Sequence, residues 1–406
     1  MKKILSLYLH YQLFVCMLLL CFAYAGCKKD ANSPPVISYV RNYVASPGDT
    51  ILSKVSPGNW VVIIGKGLST AQAIYFDGVP ARFNQALFSD TSAVVLVPSP
   101  IYLPIVPADK LNTIQFVTSY GSTTFSISIG VPDPVLTGIS NENANPLDSV
   151  VISGLNLINI RSITFAGIPI TRYLYALNGT GIRFKLPASL PQSGPLVLVT
   201  QAGTITTTYN MNDVQTGMIC NFDDINRYSY GATAITNSTT LFPDGRGRYA
   251  RMNFANLGPY DFSWYNGGKS VNLNTALCVQ PADTLRPVGS FALKFEINVA
   301  QGWSTGSLFI RTLGNQTYIA RYAPWSLATG NINYVSNGWT TVTIPFTSFL
   351  TSANGAQGTG NPPTKLTDLL DANYQGAIGI MFENNSGLNI SSFDAAFDNI
   401  RVVRIN

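Results

Sequence analysis

Val61-Val62-Ile63-Ile64-Gly65 and Val150-Val151-Ile152-Ser153-Gly154 are one phrase written twice, at an offset of 89 residues. The match runs on without gaps through Leu68 with Leu157, Ile74 with Ile163, Phe76 with Phe165, Gly78 with Gly167, Pro80 with Pro169 and Pro98 with Pro187. Chance rarely keeps apolar, glycine and proline positions in step over such a span, so the chain carries two copies of one small domain. Each copy opens after a proline-rich break, at Pro35-Val36-Ile37 and at Pro134-Val135-Leu136, and each ends on a similar strand and turn, Val117-Thr118 with Gly121 and Val199-Thr200 with Gly203. Within a copy, short apolar runs are punctuated by Gly, Pro, Asn and Asp with no helical periodicity, which is the pattern of a small antiparallel sandwich.

Composition extends this reading to the whole chain. Only 11% of the 406 residues are charged, whereas glycine and proline number 34 and 24, which excludes a helical bundle or a coiled coil. With 46% hydrophobic residues the chain can bury cores, so general disorder is excluded as well. From about Met218 the repeat stops. Phe291, Leu293, Phe295, Ile297 and Val299 alternate with Ala292, Lys294, Glu296 and Asn298, predicting a half-buried strand with one wet face. Leu308 to Arg311 and Thr317 to Arg321 flank Leu313-Gly314-Asn315 as a hairpin, and Ile378, Ile380 and Phe382 mark a further strand. About 190 residues of strands with long Gly/Asn/Ser loops predict a larger sandwich of jelly-roll type. The fold class is therefore all-β, with domains expected at 34–131, 132–212 and 213–406.

The N-terminus predicts export. Lys2 and Lys3 precede an apolar run from Ile4 to Ala25 that fits a secretory signal and is also long enough to span a bilayer. Tyr24-Ala25-Gly26-Cys27 resembles the lipobox of bacterial lipoproteins, which implies cleavage of residues 1–26, lipidation of Cys27 and a tether over 27–33. Lys28-Lys29-Asp30 resembles the signals that send such lipoproteins to the outer face of the outer membrane. The only histidine, His10, leaves with the signal, which removes Ser-His-Asp and Cys-His catalysis and His-ligated metals. Without Lys2 and Lys3 the net charge falls from +5 to +3, too little over this length to predict nucleic-acid binding. Cys220 and Cys278 are the only cysteines beyond Cys27; a disulfide and two buried thiols both remain open.

The chemistry of the last domain lies in its aromatics. Trp264, Trp303, Trp325 and Trp339 all fall there. Trp303 stands between glycines in Gly302-Trp303-Ser304-Thr305-Gly306, Trp325 follows Pro324 at the end of a strand, and Trp264-Tyr265 leads into Asn266-Gly267-Gly268. Trp264 and Tyr265, read as strand neighbours, are expected on opposite faces. A large ring beside polar loops suits a ligand with an apolar face and polar edges, and a pyranose is such a ligand. Trp339, opening Trp-Thr-Thr-Val-Thr-Ile-Pro-Phe, is assigned to the framework.

The repeats, with Pro-x-Ile, an apolar strand ending at Gly, Phe-x-Gly-x-Pro and an apolar strand ending at Pro, resemble the IPT/TIG family of immunoglobulin-like domains over residues 34 to 212. That resemblance implies a semi-rigid stalk. Taken together, the lipoprotein signal, the tandem IPT-like domains and the C-terminal aromatic sandwich resemble the SGBP-B-type surface glycan-binding lipoproteins of starch-utilisation-like systems. The resemblance implies a non-catalytic capture of xyloglucan or a related neutral plant β-glucan or hemicellulose, beside a TonB-dependent transporter and its glycan-binding lid lipoprotein. The aromatic platform is carried over as a role onto Trp264, Tyr265, Trp303, Tyr322 and Trp325, with no catalytic residue, no cofactor and no nucleic-acid partner.

Two rivals are weighed. A glycoside hydrolase needs two carboxylates flanking the bond, but glutamate is confined to Glu142, Glu296 and Glu383, none in a paired motif. Asp223-Asp224 and Asp394 with Asp398 read equally as turn residues or as ligands of a structural calcium. A protein-binding adhesin is the second rival; Arg246, Arg248 and Arg251 would then meet an acidic partner or uronic acids, or form a solvated loop.

Overall fold

The computed structural model describes residues 33–99, 109–130 and 133–405, apart from 177, 190–191, 201, 244 and 313–316. The readings placed on the signal, Cys27, the tether up to residue 32 and the Leu313-Gly314-Asn315 turn lie outside the described residues. The chain divides into two compact units, one through Pro132 and one from Asp133.

The first unit is the first repeat. Val36–Asn42, Trp60–Lys66 and Ser92–Leu96 form one antiparallel sheet; Val79–Pro80, Ala71–Phe76, Thr113–Thr118 and Gly121–Ser126 form the other. Between them lies a core that includes Val40, Val61, Ile63, Phe76 and Phe116. The second repeat builds the same two layers from Val135–Ile139, Ser149–Leu155, Gly181–Lys185 and Tyr173–Tyr175 against Ile168–Pro169, Ile160–Phe165, Gly194–Thr200 and Thr204–Met211.

The shared residues explain the shared fold. Gly65 pairs with Ile37, and Gly154 with Leu136, each beside an irregularity in the first strand of its copy. A Cβ at Gly65 would sit 1.9 Å from the Val36 carbonyl oxygen, and one at Gly154 would sit 2.1 Å from that of Val135. Only glycine tolerates that approach. Asp77-Gly78 and Ala166-Gly167 have positive φ at both positions and join Phe76 to Val79 and Phe165 to Ile168, the two-residue turn whose twist suits a hairpin.

The C-terminal domain stacks two antiparallel sheets. One runs Ala234–Thr236, Tyr249–Leu257, Ile390–Arg404, Phe291–Val299 and Thr340–Pro345, with Met218–Cys220 also pairing with Ile390–Arg404. The other runs Tyr228–Ala232, Lys269–Leu277, Gln375–Glu383, Ser307–Thr312 and Ile319–Tyr322. Phe295, Ile297, Leu308, Ile310, Ile380 and Phe382 fill the space between them. This is the expected sandwich, including the strand through Ile378–Phe382 and the pairing of Ser307–Thr312 with Ile319–Tyr322.

One strand departs from its pattern. Every residue of Phe291–Val299 is buried, including the polar face that the alternation predicted to be wet. The reason is the second repeat, which covers that face and belongs to the same compact unit. Glu142 reaches across to Lys294 at 2.5 Å and to Arg401 at 2.8 Å, and Arg401 also holds Glu296 at 2.9 Å. Asn143 donates to Glu296, the Lys294 ammonium lies 3.4 Å from the centroid of the Tyr209 ring, and Arg246 donates to Asn145, Asn212 and the Ala144 carbonyl. Two buried cations facing two buried carboxylates keep each charge compensated where water cannot. The second repeat is thus fastened to the domain that follows it.

The remaining framework assignments resolve simply. Trp339 is buried on the sheet face turned away from Val342 and Ile344, in a small cluster with Phe242, Tyr249 and Ala396, and its indole donates to the Pro243 carbonyl at 3.0 Å. Cys220 and Cys278 are both free and buried. Burial pushes the Cys278 thiol up to about 12.

Candidate functional site

The topology sends four connections out of one end of the C-terminal sandwich. Leu257 pairs with Ile390, Val299 with Ala395, Ser307 with Glu383, Leu308 with Tyr322 and Ser270 with Met381. Segments 258–268, 300–306, 323–339 and 384–389 therefore share that end. They are also tied to one another. Asn384 donates to the carbonyls of Gly258 and Leu388, Tyr260 N–H donates to the Ser386 carbonyl, and the Thr305 and Ser386 hydroxyls lie 2.8 Å apart. Trp303 and Tyr334 exchange backbone hydrogen bonds, and Trp325 donates its indole N–H to the Gly306 carbonyl at 2.7 Å.

Trp303 has no open face. It is 2% exposed, ringed by Tyr322, Tyr334, Phe382 and Phe393, and its indole N–H is satisfied by the Thr305 carbonyl at 2.9 Å. The flanking glycines that made it look like a loop ring instead let the chain turn tightly enough to drive the indole inward; at Gly306, with φ +74, an added Cβ would meet Phe382 at 2.7 Å. The expectation of a platform at Trp303 is corrected: it is the central ring of the core at this end. Tyr322 is corrected likewise, because it points from its strand toward Trp303 and Phe295. Burial raises the Tyr322 hydroxyl well above the ordinary tyrosine range, and the neighbouring Tyr334 adds to the shift. Trp325 is half-buried against the same core, with its N–H edge committed to Gly306.

Trp264 and Tyr265 lie in a turn, not a strand, so they do not point to opposite faces of a sheet. Their rings meet edge to face with centroids 5.7 Å apart. Trp264 is half-buried and Tyr265 is 67% exposed. The turn is fixed by Asp261, which accepts from the Ser263 N–H and hydroxyl, while Lys269 donates to the Ser263 hydroxyl at 2.7 Å. Those Ser263 hydrogen bonds hold the Asp261 carboxyl below its ordinary range.

Beside Trp264 the sheet adds a polar wall. The Arg311 guanidinium lies 5.9 Å from the Trp264 ring and donates to Gln357 at 2.7 Å and Glu383 at 3.1 Å. Burial raises the Glu383 carboxyl, with Arg311 opposing the shift. Among the described residues, Arg311 Nε and the buried hydroxyl of Ser307, on the same strand, have no hydrogen-bond partner.

Sequence reasoning missed Tyr260 and Phe262, exposed in the same loop as Tyr265, and Leu388, exposed in another loop of this end. Tyr260 is 65% exposed with φ +52, a conformation a bulky residue adopts only where its surroundings impose it. The readable signal was density: Tyr260, Phe262, Trp264 and Tyr265 put four aromatics into six residues of a loop bounded by Gly258-Pro259 and Asn266-Gly267.

Three other groups have partners within the protein. Arg246 is committed to the second repeat, and Arg251 forms a two-pronged pair with Asp394 at 2.9 and 2.7 Å, so neither offers a free cation. Asp224 is engaged by Asn221 and Gln215, and Asp223 accepts from Arg248 N–H. No group of three or more acidic, cysteine or histidine side chains gathers as a metal cage among the described residues.

Residues 211–404 match the family model described as the surface glycan-binding protein B xyloglucan binding domain. Over that span the C-terminal domain is similar to this family. Among curated proteins, the chain is similar to an "IPT/TIG domain-containing protein" of Bacteroides ovatus, 25% identical over 222 residues. That alignment covers 50% of this chain and 45% of the relative, so the chain spans under half the length of that protein. Among solved structures, the surface glycan-binding protein PbSGBP-B from Prevotella bryantii superposes with a TM-score of 0.68 at 19% identity, over 93% of this chain and all of the other. The likeness establishes the shared fold, repeats included.

Proposed function

We propose that the chain is a non-catalytic cell-surface lipoprotein that captures a neutral plant glycan, xyloglucan or a related β-glucan or hemicellulose, at the four-loop end of its C-terminal domain. The observation that carries this reading is the gathering of Tyr260, Phe262, Trp264 and Tyr265 at the solvent edge of a domain similar to the xyloglucan-binding family. Sugar rings lie along the exposed aromatic loop, with their apolar C–H faces on the side chains and their hydroxyls toward the Arg311–Gln357–Glu383 wall. Each stacked ring contributes on the order of 1 kcal/mol beyond area burial, and association costs several kcal/mol. A few rings therefore give micromolar to millimolar affinity, of the order of −8 to −4 kcal/mol. Many copies on one membrane turn such weak sites into firm retention of a repetitive polymer.

Two observations support capture without cleavage and a neutral ligand. Hydrolysis generally needs two carboxylates flanking the bond, and of the three glutamates Glu142 and Glu296 are buried against Arg401 at the interface with the second repeat, while Glu383 is paired with Arg311. Arg246 and Arg251 are also engaged, by the second repeat and by Asp394, so neither is a free cation for uronic acids. Cys27 serves as the lipid anchor in the outer membrane, and the partners at that surface are a TonB-dependent transporter and its lid lipoprotein.

Affinity electrophoresis of the full chain against a polysaccharide panel tests the reading. Retardation by xyloglucan or a related neutral glucan, with no new reducing ends after prolonged incubation, is the expected result. Passage unretarded through every neutral plant glycan overturns it.

A further inference from the structure

The first repeat carries a feature that its fold does not require. Trp60 opens the strand Trp60–Lys66 with 45% of its surface exposed, and Tyr43 stands 57% exposed with its ring centroid 6.2 Å from that of Trp60. The two rings border an open groove of about 540 Å³, flanked by Asn42, Val44, Lys54 and Asn59. That size falls within the several hundred Å³ of small-ligand sites.

The second repeat supplies the internal control. Strand register equates Gly65 with Gly154 and Ile37 with Leu136, which places Ser149 where the first copy has Trp60 and Glu142 where it has Tyr43. The sandwich forms with serine at that position, so the indole is not needed for folding. In the second copy the same face is committed to a charged domain interface through Glu142. In the first it presents two aromatic faces bordered by amides, an ammonium and the Ser56 hydroxyl.

We infer that the Tyr43–Trp60 groove is a second glycan site, which binds a neutral saccharide segment by stacking on Trp60 and hydrogen bonding along its rim. The chemistry selects this occupant. Two rings beside neutral amides complement a polyhydroxylated ring; the groove lining contains no acidic side chain, and Asp49 lies 3.8 Å from Arg41 as a compensated pair. A stable protein partner would need on the order of 1,000 Å² or more of buried surface, more than a groove lined by eleven residues supplies. The inference rests on the glycan-capture reading and adds to it: two separated weak sites on one chain bind one long polymer more firmly than either alone.

The test uses the full chain and a soluble xylogluco-oligosaccharide, with the stoichiometry read by calorimetry and folding checked by thermal melting. Trp60→Ser copies the second repeat and is expected to fold. The wild type is expected to bind two oligosaccharides, Trp60→Ser one, and Trp264→Ala with Tyr265→Ala one. On the long polymer, Trp60→Ser is expected to weaken retention by about tenfold. A wild-type stoichiometry of one that Trp60→Ser leaves intact and the loop variants abolish overturns this inference and keeps the C-terminal site. Loss of all binding in Trp60→Ser, with the loop variants unaffected, overturns the C-terminal site and keeps this one. No binding by the wild type overturns both.

Discussion

The Glu142 carboxylate of the second repeat lies 2.8 Å from the Arg401 guanidinium in the last strand of the chain, and both groups are almost completely buried. With Lys294 and Glu296 they form a closed set of charges between two domains. A buried pair of this kind adds little net stability over a well-packed apolar interface, but losing one partner is costly because the other is left uncompensated. Glu142→Ala is expected to destabilise the second unit by about 3–5 kcal/mol. Differential scanning calorimetry checks this: the transition of residues 133–406 should move down and that of the first repeat should stay in place.

Asp398 predicts a pH dependence of definite sign. Burial raises its carboxyl well above the ordinary 3.8; Glu296 and Asp223 add to the shift, while the Asn399 N–H and Arg401 oppose it. The folded state therefore holds its proton to higher pH than the unfolded state. Stability falls as pH rises from about 4 through the folded-state value, where the unfolded chain ionises first. Asp398→Asn, which keeps an oxygen to accept from the Asn399 N–H, should raise the melting temperature at pH 7, and the gain should vanish toward pH 4. A constant gain across that range would contradict the assignment.

Gly65→Ala and Gly154→Ala should each destabilise only their own unit. The added methyl meets a carbonyl oxygen at 1.9 or 2.1 Å, so the first strand must move. A cost of about 1–3 kcal/mol is expected in each, resolved by the separate unfolding transitions.

Trp303→Ala separates core from ledge. It should lower stability by about 3–5 kcal/mol through the cavity it leaves. Tyr260→Ala and Tyr265→Ala, both exposed, should leave the melting temperature within about 1 °C while weakening oligosaccharide binding by about 1 kcal/mol each, roughly fivefold. Melting curves and titrations on the same samples distinguish the two.

Much of this was legible in the residues. The 89-residue echo marked the repeats because each copy needs its glycine at the same close approach and its turn at the same hairpin. Alternation placed the strands of the larger sandwich. The errors share a cause. Period-two patterning locates a strand but does not show what lies over its polar face, so Lys294 and Glu296 read as wet when another domain covers them. Local context failed at Trp303 for a related reason, since a ring between glycines can turn inward as easily as outward, and only the meeting of Phe382, Phe393 and Tyr334 from distant segments decides it. Tyr260 and Phe262 escaped notice because their loop has no period to break.

The most direct measurement is the affinity of a soluble xylogluco-oligosaccharide for the full chain in the Trp60→Ser background, with and without Trp264→Ala and Tyr265→Ala. Glycan capture at the four-loop end predicts at least a tenfold loss, with the melting temperature of the C-terminal domain unchanged. Equal affinity in the two proteins would contradict it.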